Sequence, residues 1–426
     1  MEEILIDILK RLPVKSLIRF NCVSKFWNTL ISQPYFKKTH LNHSNSQLSS
    51  QKLLFVRWDP NCQFWSGSFT LTEEDIPIFD CTSDSNIKDG IKMYSSCDGL
   101  FLIGIWTDSY DEQPSILVLW NPSTRQSIRL PHSKFSLQMG DQYENADENM
   151  GNYSNSISDH DDGLANYDSK NHEQIEDYSS SSFSDYGDGD KGTTYGLAFD
   201  SKSEDYKVFR IDMSGNNDNE IFALKNGSWK IIDRKTSGRT DSGLLCGGEL
   251  LPFVDGAFHW LGFLSEVCVV SFNISDEIYG EISLPDTVSS ELTLFKFDNV
   301  EVQVDVHVGL SVLRGMLHLY YKDDKEFSLW VMQKYGLKDS WMKLLTIPRV
   351  GFYKIVPTYA FSDDEVLVCF DKENRVTPEQ VETSYEYKII CGGQYRMISQ
   401  DYDIDAVTVD REGFAYTETL TDIKLY

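Results

Sequence analysis

Two prolines divide the first forty residues of the chain into short segments, which limits what this region can form. Apolar residues recur at helical spacing over residues 2–11, and they predict one helix with a single apolar stripe: Leu5, Ile8, Leu9 and Leu12. Pro13 ends this helix, because proline has no backbone N–H and disfavours helical geometry in the residue before it. The region is therefore expected to fold as several short helices and not as one long helix.

Two further helices are predicted before the second proline. One covers residues 15–21, and the hydroxyl of Ser24 is suited to cap the start of the next, which carries Phe26, Trp27, Leu30 and Ile31. Pro34 is expected to close the unit. Three helices in forty residues cannot bury this many large apolar side chains among themselves. Some of them must face either the rest of the same chain or a partner.

The run ILIDILKRLPVKSLIRFNCVSKFWNTLIS over residues 4–32 resembles the F-box, a three-helix motif. Its most specific part, L-P-V-K-S-L-x-R-F-x-x-V-S-K-x-W from Leu12 to Trp27, is almost unbroken, although the usual Leu-Pro pair ahead of the first helix is absent. The resemblance implies docking on the Skp adaptor of a cullin-RING ubiquitin ligase. It implies an adaptor-binding set: Leu5, Ile8, Leu9, Leu12, Pro13, Leu17, Phe20, Val23 and Trp27.

The overall charge excludes some classes of partner. A formal net charge of −27 over 426 residues argues against binding to nucleic acid or to an anionic membrane surface. No apolar run is long enough for a transmembrane helix, and the N-terminus lacks the pattern of a signal peptide. The eight cysteines are scattered without a zinc-ligand spacing, so we expect reduced thiols, no metal, no cofactor and a cytoplasmic or nuclear location.

The rest of the chain is predicted to be all-β. Residues 42–51 are polar and serine-rich, as in a linker, and from residue 52 short apolar or alternating runs are separated by turn residues. Helical periodicity of useful length is missing there. The predicted domains are an F-box over 1–41, a linker over 42–51 and a large β domain over 52–426.

A repeat runs through these strands. Three copies begin at a glycine turn, continue through two apolar strands and end at an apolar residue before proline, from Gly99 to Leu130, from Gly256 to Leu284 and from Gly315 to Ile347. Two weaker copies start near Tyr195 and Glu365. Repeats of three or four strands indicate the blades of a β-propeller. The alternative is an irregular pair of β-sandwiches.

Several segments of the β domain resemble the F-box-associated domain of plant F-box/kelch-repeat proteins, including S-locus F-box proteins. The segments are NPSTRQSIRLP, YGLAFDSKSEDYKVFRI, GSWKII and VSFNISDEIYGEISLP. Kelch-like blades usually carry a Gly-Gly pair, and this chain has such pairs only at Gly247-Gly248 and Gly392-Gly393. Residues 136–191 are rich in acidic, Ser and Asn residues and poor in core formers, so they are predicted to be a disordered insertion.

No catalytic motif was found. His259 and His318 occupy equivalent strand positions in two repeats, which favours packing over catalysis. The resemblance implies a non-catalytic substrate receptor of an SCF (Skp-cullin-F-box) ubiquitin ligase, with a target protein held by loops of the β domain. Two alternatives stay open: an F-box protein that binds the adaptor without directing degradation, and a propeller that binds a small ligand or a sugar.

Overall fold

The computed structural model describes residues 2–47, 50–57, 63–68, 73–76, 90–106, 113–133, 193–212, 218–232, 250–263, 267–294, 307–323, 325–348, 355–362, 365–377, 380–391, 394–397 and 413–423. The predicted insertion at 136–191 and both Gly-Gly pairs lie outside these residues. No helix in the described ranges is long and apolar enough to cross a membrane.

The N-terminal unit contains four helices: α1 (Glu2–Leu9), α2 (Val14–Phe20), α3 (Lys25–Ser32) and α4 (Pro34–Asn45). The prediction that Pro34 closes the unit was wrong. Pro34 occupies the first turn of α4, where its missing N–H has no intrahelical partner to lose. The helical unit therefore runs four residues past the predicted boundary at residue 41 and into the predicted linker.

The β domain contains strands in six four-stranded antiparallel sheets within the described residues. In chain order they are β1 (Gln51–Arg57), β2 (Gln63–Ser68), β3 (Glu73–Ile76), β4 (Gly90–Cys97), β5 (Leu100–Trp106), β6 (Ile116–Asn121), β7 (Gln126–Arg129), β8 (Thr193–Asp200), β9 (Asp205–Asp212), β10 (Glu220–Ala223), β11 (Ser228–Ile231), β12 (Phe253–Val254), β13 (Ala257–Phe263), β14 (Val267–Asn273), β15 (Ile278–Ser283), β16 (His307–Leu313), β17 (Met316–Lys322), β18 (Glu326–Met332), β19 (Trp341–Pro348), β20 (Ile355–Ala360), β21 (Glu365–Thr377), β22 (Gln380–Cys391), β23 (Gln394–Met397) and β24 (Phe414–Thr417).

These sheets are the blades of a β-propeller. Five of them use four consecutive strands, and the sixth has the order β24-β1-β2-β3, so the last strand of the chain closes the ring against the first. Buried apolar clusters fill the spaces between consecutive blades; one joins Phe209, Phe258 and Phe272, with the Phe209 and Phe272 ring centroids 4.4 Å apart. A ring of six sheets rules out the sandwich alternative.

The predicted repeat is confirmed by the backbone. Gly99, Gly256 and Gly315 each lie in the turn between the first two strands of a blade, with φ of 74°, 77° and 72°. These left-handed values favour glycine, since a β-carbon is strained there. At Gly99 it would also collide with the carbonyl oxygen of Thr417. One expectation failed: a short helix, α5 (Asp286–Leu294), lies between β15 and β16. Among its described side chains, Val288 and Leu292 pack on the core, and two apolar positions are too few for the sequence to show a helical period.

The propeller has two unlike ends. The turns between first and second strands, and between third and fourth strands, lie at one end, which we call the turn face; Gly99, Gly256 and Gly315 mark it. The strand ends that flank the connections from one blade to the next lie at the opposite end, which we call the loop face. Strand β1 begins at Gln51, opposite Thr417, so the helical unit joins the ring at the turn face.

The last described segment, residues 418–423, fastens the helical unit to the propeller. Leu420 is buried in the helical core, and Asp422 pairs with Lys37 of α4. The carbonyl oxygens of Thr419 and Thr421 accept hydrogen bonds from the Asn121 amide of β6, at 3.2 and 2.9 Å. A single segment thus contacts both domains immediately after the strand that closes the ring.

Candidate docking surface

The F-box has its own buried core, and two of the predicted adaptor contacts belong to it. Leu9 and Leu17 are almost completely buried. They pack with the other interior residues of the unit: Ile6, Val14, Leu30, Ile31, Phe36 and Leu420. The resemblance had placed Leu9 and Leu17 on the docking surface. Helical spacing shows that a residue is on the apolar stripe but not which side of a wide stripe meets water.

The other seven predicted residues reach the surface to different extents. Ile8, Pro13 and Val23 are exposed, whereas Leu5, Leu12, Phe20 and Trp27 are half-buried. Four of the seven therefore rest on the F-box core with one side and meet solvent with the other. Exposed apolar side chains supported by a packed layer are typical of the anchors of a protein interface.

Aromatic side chains around α3 form a local cluster. The Trp27 ring lies 5.6 Å from that of Phe20 and 6.4 Å from that of Phe26, measured between ring centroids. The hydroxyl of Ser24 accepts a hydrogen bond from the Trp27 backbone N–H at 3.3 Å, so the predicted N-cap is confirmed. The cap fixes the start of the helix that carries both Phe26 and Trp27.

Three exposed apolar residues of the F-box were not among the predicted contacts: Ile4, Phe26 and Tyr35. Ile4 had a sequence signal, because it stands four residues before Ile8 and so lies beside a predicted contact on the same helix face. Phe26 directly precedes Trp27, and adjacent residues on a helix point in different directions, so the spacing did not identify it. We call the surface formed by the exposed and half-buried apolar residues from α1 to α3, links included, the docking surface: Ile4, Leu5, Ile8, Leu12, Pro13, Ile18, Phe20, Val23, Phe26 and Trp27.

The electrostatics of the F-box differ from those of the whole chain. Residues 2–47 contain seven Lys and Arg against three Asp and Glu, while the remaining residues contain 32 against 63. Lys10 donates a hydrogen bond to Asp7 at 2.7 Å and lowers the pKa of that carboxyl. Arg11, Arg19 and Lys25 are exposed beside the docking surface. An acidic partner surface is therefore attracted to this unit at low ionic strength.

A buried histidine ties the link between α1 and α2 to α4. His40 lies in α4 and its Nε2 is 3.0 Å from the carbonyl oxygen of Leu12. Burial lowers the pKa of His40, so the ring is neutral at pH 7 and can donate this hydrogen bond. Leu12 and Pro13 are thereby held at the edge of the docking surface.

The propeller histidines have structural surroundings. His259 is fully buried, with Nε2 2.7 Å from the Tyr335 hydroxyl, and burial lowers its pKa to about 4. His318 is also buried, with Nδ1 2.9 Å from the carbonyl oxygen of Met316. These contacts confirm the packing interpretation. Among the described residues, no three His, Cys, Asp or Glu side chains are grouped so as to hold a metal ion.

A helical unit with an exposed apolar surface, joined to a closed ring of β-sheets, defines a two-part binding protein. Comparison with known families makes the class specific. Residues 2–39 match the F-box domain, and residues 177–423 match the F-box associated beta propeller domain. The chain belongs to the F-box proteins that carry this propeller.

The chain aligns with its relatives over most of its length. The chain is 26% identical to the F-box protein CPR1 of Arabidopsis thaliana, over 87% of this chain and 79% of that protein. It is 23% identical to an F-box/kelch-repeat protein of the same plant, over 81% of this chain and 79% of the relative. It also aligns with the solved structure of the SapL1 lectin in complex with alpha methyl fucoside, at 9% identity and a TM-score of 0.34, over 82% of this chain and 98% of the lectin. A TM-score this low does not support an inference about function.

Proposed function

We propose that this protein is the non-catalytic target-recognition subunit of an SCF ubiquitin ligase and acts in the cytoplasm or nucleus. The F-box docks on the Skp adaptor and, through it, joins the cullin-RING ligase, while the propeller holds the target protein. The observation that carries this proposal is the docking surface. Half of the large exposed apolar side chains in the described residues belong to the F-box, although it makes up only a small part of them: Ile4, Ile8, Val23, Phe26 and Tyr35.

The docking surface is suited to a stable protein contact because its anchors are pre-positioned. Phe20 and Trp27 contact each other and rest on the buried layer of the F-box, so little side-chain freedom is lost on binding. Affinity in such an interface comes from a few desolvated anchors, with Trp among the most effective. The exposed Arg19 and Lys25 at its border would mainly affect the association rate and its salt dependence.

The attachment of the F-box explains how recruitment could lead to ubiquitin transfer. Leu420 packs in the F-box core, and the neighbouring Thr419 and Thr421 are hydrogen-bonded to the propeller. A target bound to the propeller is thus held at a fixed distance from the adaptor. This raises the effective concentration of its lysines near the conjugating enzyme, so the receptor itself needs no catalytic group.

The F-box joins at the turn face, so we place target recognition on the loop face. Most described turns on the turn face are short, such as Asp98-Gly99 and Asp255-Gly256, and offer little surface that can vary; the β18–β19 connection over residues 333–340 is longer. Binding residues are usually carried by longer connections on a rigid scaffold. A target on the loop face would not compete with the adaptor for space beside the F-box.

The proposal is tested by adaptor binding with a matched pair of substitutions. Ile8 in α1 and Ile278 in β15 are equally exposed, at 55% and 54%. We expect Ile8→Asp to weaken binding of the intact chain to the purified Skp adaptor at least about tenfold, because it places a charge in an apolar contact. Ile278→Asp, with the same chemical change on the propeller, should leave the affinity unchanged. Isothermal titration calorimetry measures both.

Three outcomes would contradict the proposal or part of it. No binding by the folded intact chain, or equal losses in Ile8→Asp and Ile278→Asp, would overturn docking through the F-box. Binding without any protein becoming more abundant when the chain is removed from its cells would favour the alternative of an adaptor-binding protein without a degradative role. The positive result is a ubiquitinated protein that is recovered with the intact chain and lost with Ile8→Asp.

A further inference from the structure

The segment that follows β24 is anchored in the cores of both domains. We call residues 418–423 the strap. Leu420 is buried in the F-box core. Ile423, three residues further on, is buried in the propeller core between the sheets β4–β7 and β8–β11. One short segment thus has two buried anchors, and each of them belongs to a different domain.

A buried asparagine holds the backbone of the strap on the propeller. Asn121 is completely buried at the end of β6, and its amide nitrogen donates to the carbonyl oxygens of Thr419 and Thr421, at 3.2 and 2.9 Å. The Thr419 N–H in turn donates to the Ser123 hydroxyl at 3.2 Å. A β-carbon at Gly99 would lie 2.8 Å from Cγ2 of Thr419, so the strap also packs closely on that turn. Its position on the propeller is therefore well defined.

The strap contacts α4 on its other side. Asp422 forms an ion pair with Lys37 near the start of this helix. Glu418 acts through its charge on His40, where it opposes the lowering of the pKa that burial causes. Together with buried Leu420, these contacts fasten α4 to the strap along about one turn of the helix.

The same helix supports one edge of the docking surface. His40 lies inside the F-box, with its ring centroid 6.3 Å from that of Phe36. Its Nε2 lies 3.0 Å from the carbonyl oxygen of Leu12, which precedes Pro13 on the docking surface. A continuous series of contacts therefore leads from the propeller through the strap and α4 to the docking surface.

Detachment of the strap would affect both domains at once. Without Leu420, the F-box core would lose a buried leucine beneath the layer on which Phe20 and Trp27 rest. A unit of this size has few core residues, so it is sensitive to the loss of one. With the strap in place, the side chains of the docking surface are held in position, and less freedom is lost when a partner binds.

We propose that the strap positions the docking surface for the Skp adaptor, and that adaptor binding and attachment of the strap strengthen each other. This rests on the proposed function, because it takes the adaptor as the partner of the F-box. The mutual effect follows from linkage: the factor by which the attached strap raises adaptor affinity equals the factor by which bound adaptor favours attachment. Recruitment is thereby tied to a closed ring, since the strap continues directly from β24.

The first test weakens the hold of the propeller on the strap without changing the F-box. Asn121→Ala removes both hydrogen bonds to the strap carbonyl groups. We expect local attachment of the strap to weaken and, through it, the affinity of the full-length protein for the purified adaptor to fall about fivefold. Isothermal titration calorimetry measures the change.

Asn273 provides the matched control, because it ends β14, the corresponding third strand of another blade. Each of the two asparagines accepts hydrogen bonds from two backbone N–H groups of its own turn, at 2.9 and 3.3 Å in Asn121 and at 3.0 and 2.9 Å in Asn273. Asn273→Ala therefore removes the same turn bonds and none to the strap. It should leave adaptor affinity unchanged.

The second test uses the ion pair between the strap and α4. Lys37→Glu and Asp422→Lys each place two like charges at this contact, and each should weaken adaptor binding about threefold. The double variant exchanges the charges, keeps the net charge of the protein and should restore the affinity. Neither residue belongs to the docking surface, and packing alone would give no such rescue.

A measurement without the adaptor separates this proposal from the proposed function. With 5-fluorotryptophan incorporated, the fluorine NMR signal of Trp27 is assigned by its absence in Trp27→Phe and reports on the docking surface. We expect this signal to shift or broaden in Asn121→Ala and in Lys37→Glu, and to stay unchanged in Asn273→Ala. An unchanged signal in both strap variants overturns the proposal, whether or not the intact chain binds the adaptor.

The adaptor measurements give the remaining outcomes. If the intact chain binds and Asn121→Ala binds equally well, or if exchanging the charges of Lys37 and Asp422 restores nothing, the proposal is overturned while the proposed function stands. Bound adaptor should also slow amide hydrogen exchange in residues 418–423 about fivefold, the same factor in the reverse direction. Equal exchange rates with and without the adaptor would contradict the mutual effect.

Discussion

The F-box exposes much more of its apolar surface to solvent than the propeller does. Within the described residues, five of the ten large exposed apolar side chains belong to the F-box, and the other five belong to the much larger propeller, three of them at or beside the β18–β19 connection. The two domains also differ in charge, since Lys and Arg outnumber Asp and Glu only in the F-box. The propeller completes its core by closing a ring, whereas the helical unit is too small to do so alone.

The difference teaches where stability and binding come from in this chain. Each blade buries both faces against its neighbours, so the propeller is stabilised by packing that needs no partner. The core of the F-box includes Leu420 from the C-terminal segment, and the apolar side chains of its docking surface stay in contact with solvent. Changes in the propeller should therefore act on folding, and changes in the docking surface on binding.

The largest effect is expected where the propeller buries charge. Arg210 in β9 and Glu220 in β10 are completely buried, with Nη1 3.7 Å from Oε2. Arg210→Met leaves the Glu220 carboxylate buried without this cation, which we expect to cost about 4 kcal/mol of unfolding free energy. Chemical denaturation measures the loss. Arg125→Met, at an exposed turn, is the control and should change stability by no more than about 0.5 kcal/mol. A loss below about 1 kcal/mol in Arg210→Met would contradict the assignment of the pair to the propeller core.

The next effect falls at the junction of the two domains. Leu420→Ala removes a buried side chain from the F-box core and should cost about 3 kcal/mol of local stability. We expect amide hydrogen exchange to accelerate in α1–α4 and in residues 418–423, and to stay unchanged in the blades away from the junction. Leu337→Ala, at a half-exposed leucine of the β18–β19 connection, is the comparison. Uniform acceleration through the whole propeller would show instead that the two domains unfold as one unit.

A pH experiment separates the buried histidines from the exposed surface. The pKa of His259 is about 4 in the folded protein against 6.5 in its usual range, so between these values the unfolded chain binds the proton more strongly. Stability is complete above pH 6.5 and falls as the pH drops towards 4, by about 2 kcal/mol at pH 5 for this residue. His259→Gln should flatten that part of the denaturation profile, while His132→Gln, at an exposed site, should not. Identical profiles for the two variants would contradict this account.

Much of this architecture could be predicted from the sequence because its signals are local. The turn glycines and the apolar strands repeat from blade to blade, so the sequence predicts turns at Gly99, Gly256 and Gly315, where the structure has them. The closure of the ring was not predicted, since the pairing of Leu54 with Phe414 joins the two ends of the domain and leaves no local pattern. The helical spacing likewise failed to separate buried Leu9 and Leu17 from exposed Ile8, because that choice depends on Leu420 and on packing among helices distant in sequence.

The smallest expected effect sharpens the comparison within the F-box itself. The Ser24 hydroxyl caps α3 through the Trp27 N–H and contributes no apolar surface to the docking surface. Ser24→Ala should therefore lower F-box stability by about 1 kcal/mol and leave the propeller unchanged. Ser32→Ala, at the exposed end of the same helix, makes the same chemical change without removing a cap and should alter stability by only a few tenths of a kcal/mol. Hydrogen exchange of α3 in the two variants measures the difference. The cap also sets the start of the helix that presents Phe26 and Trp27. A loss of adaptor affinity in Ser24→Ala but not in Ser32→Ala would therefore show that the docking surface must be pre-positioned. Equal affinities would show that its apolar anchors bind as well from a frayed helix.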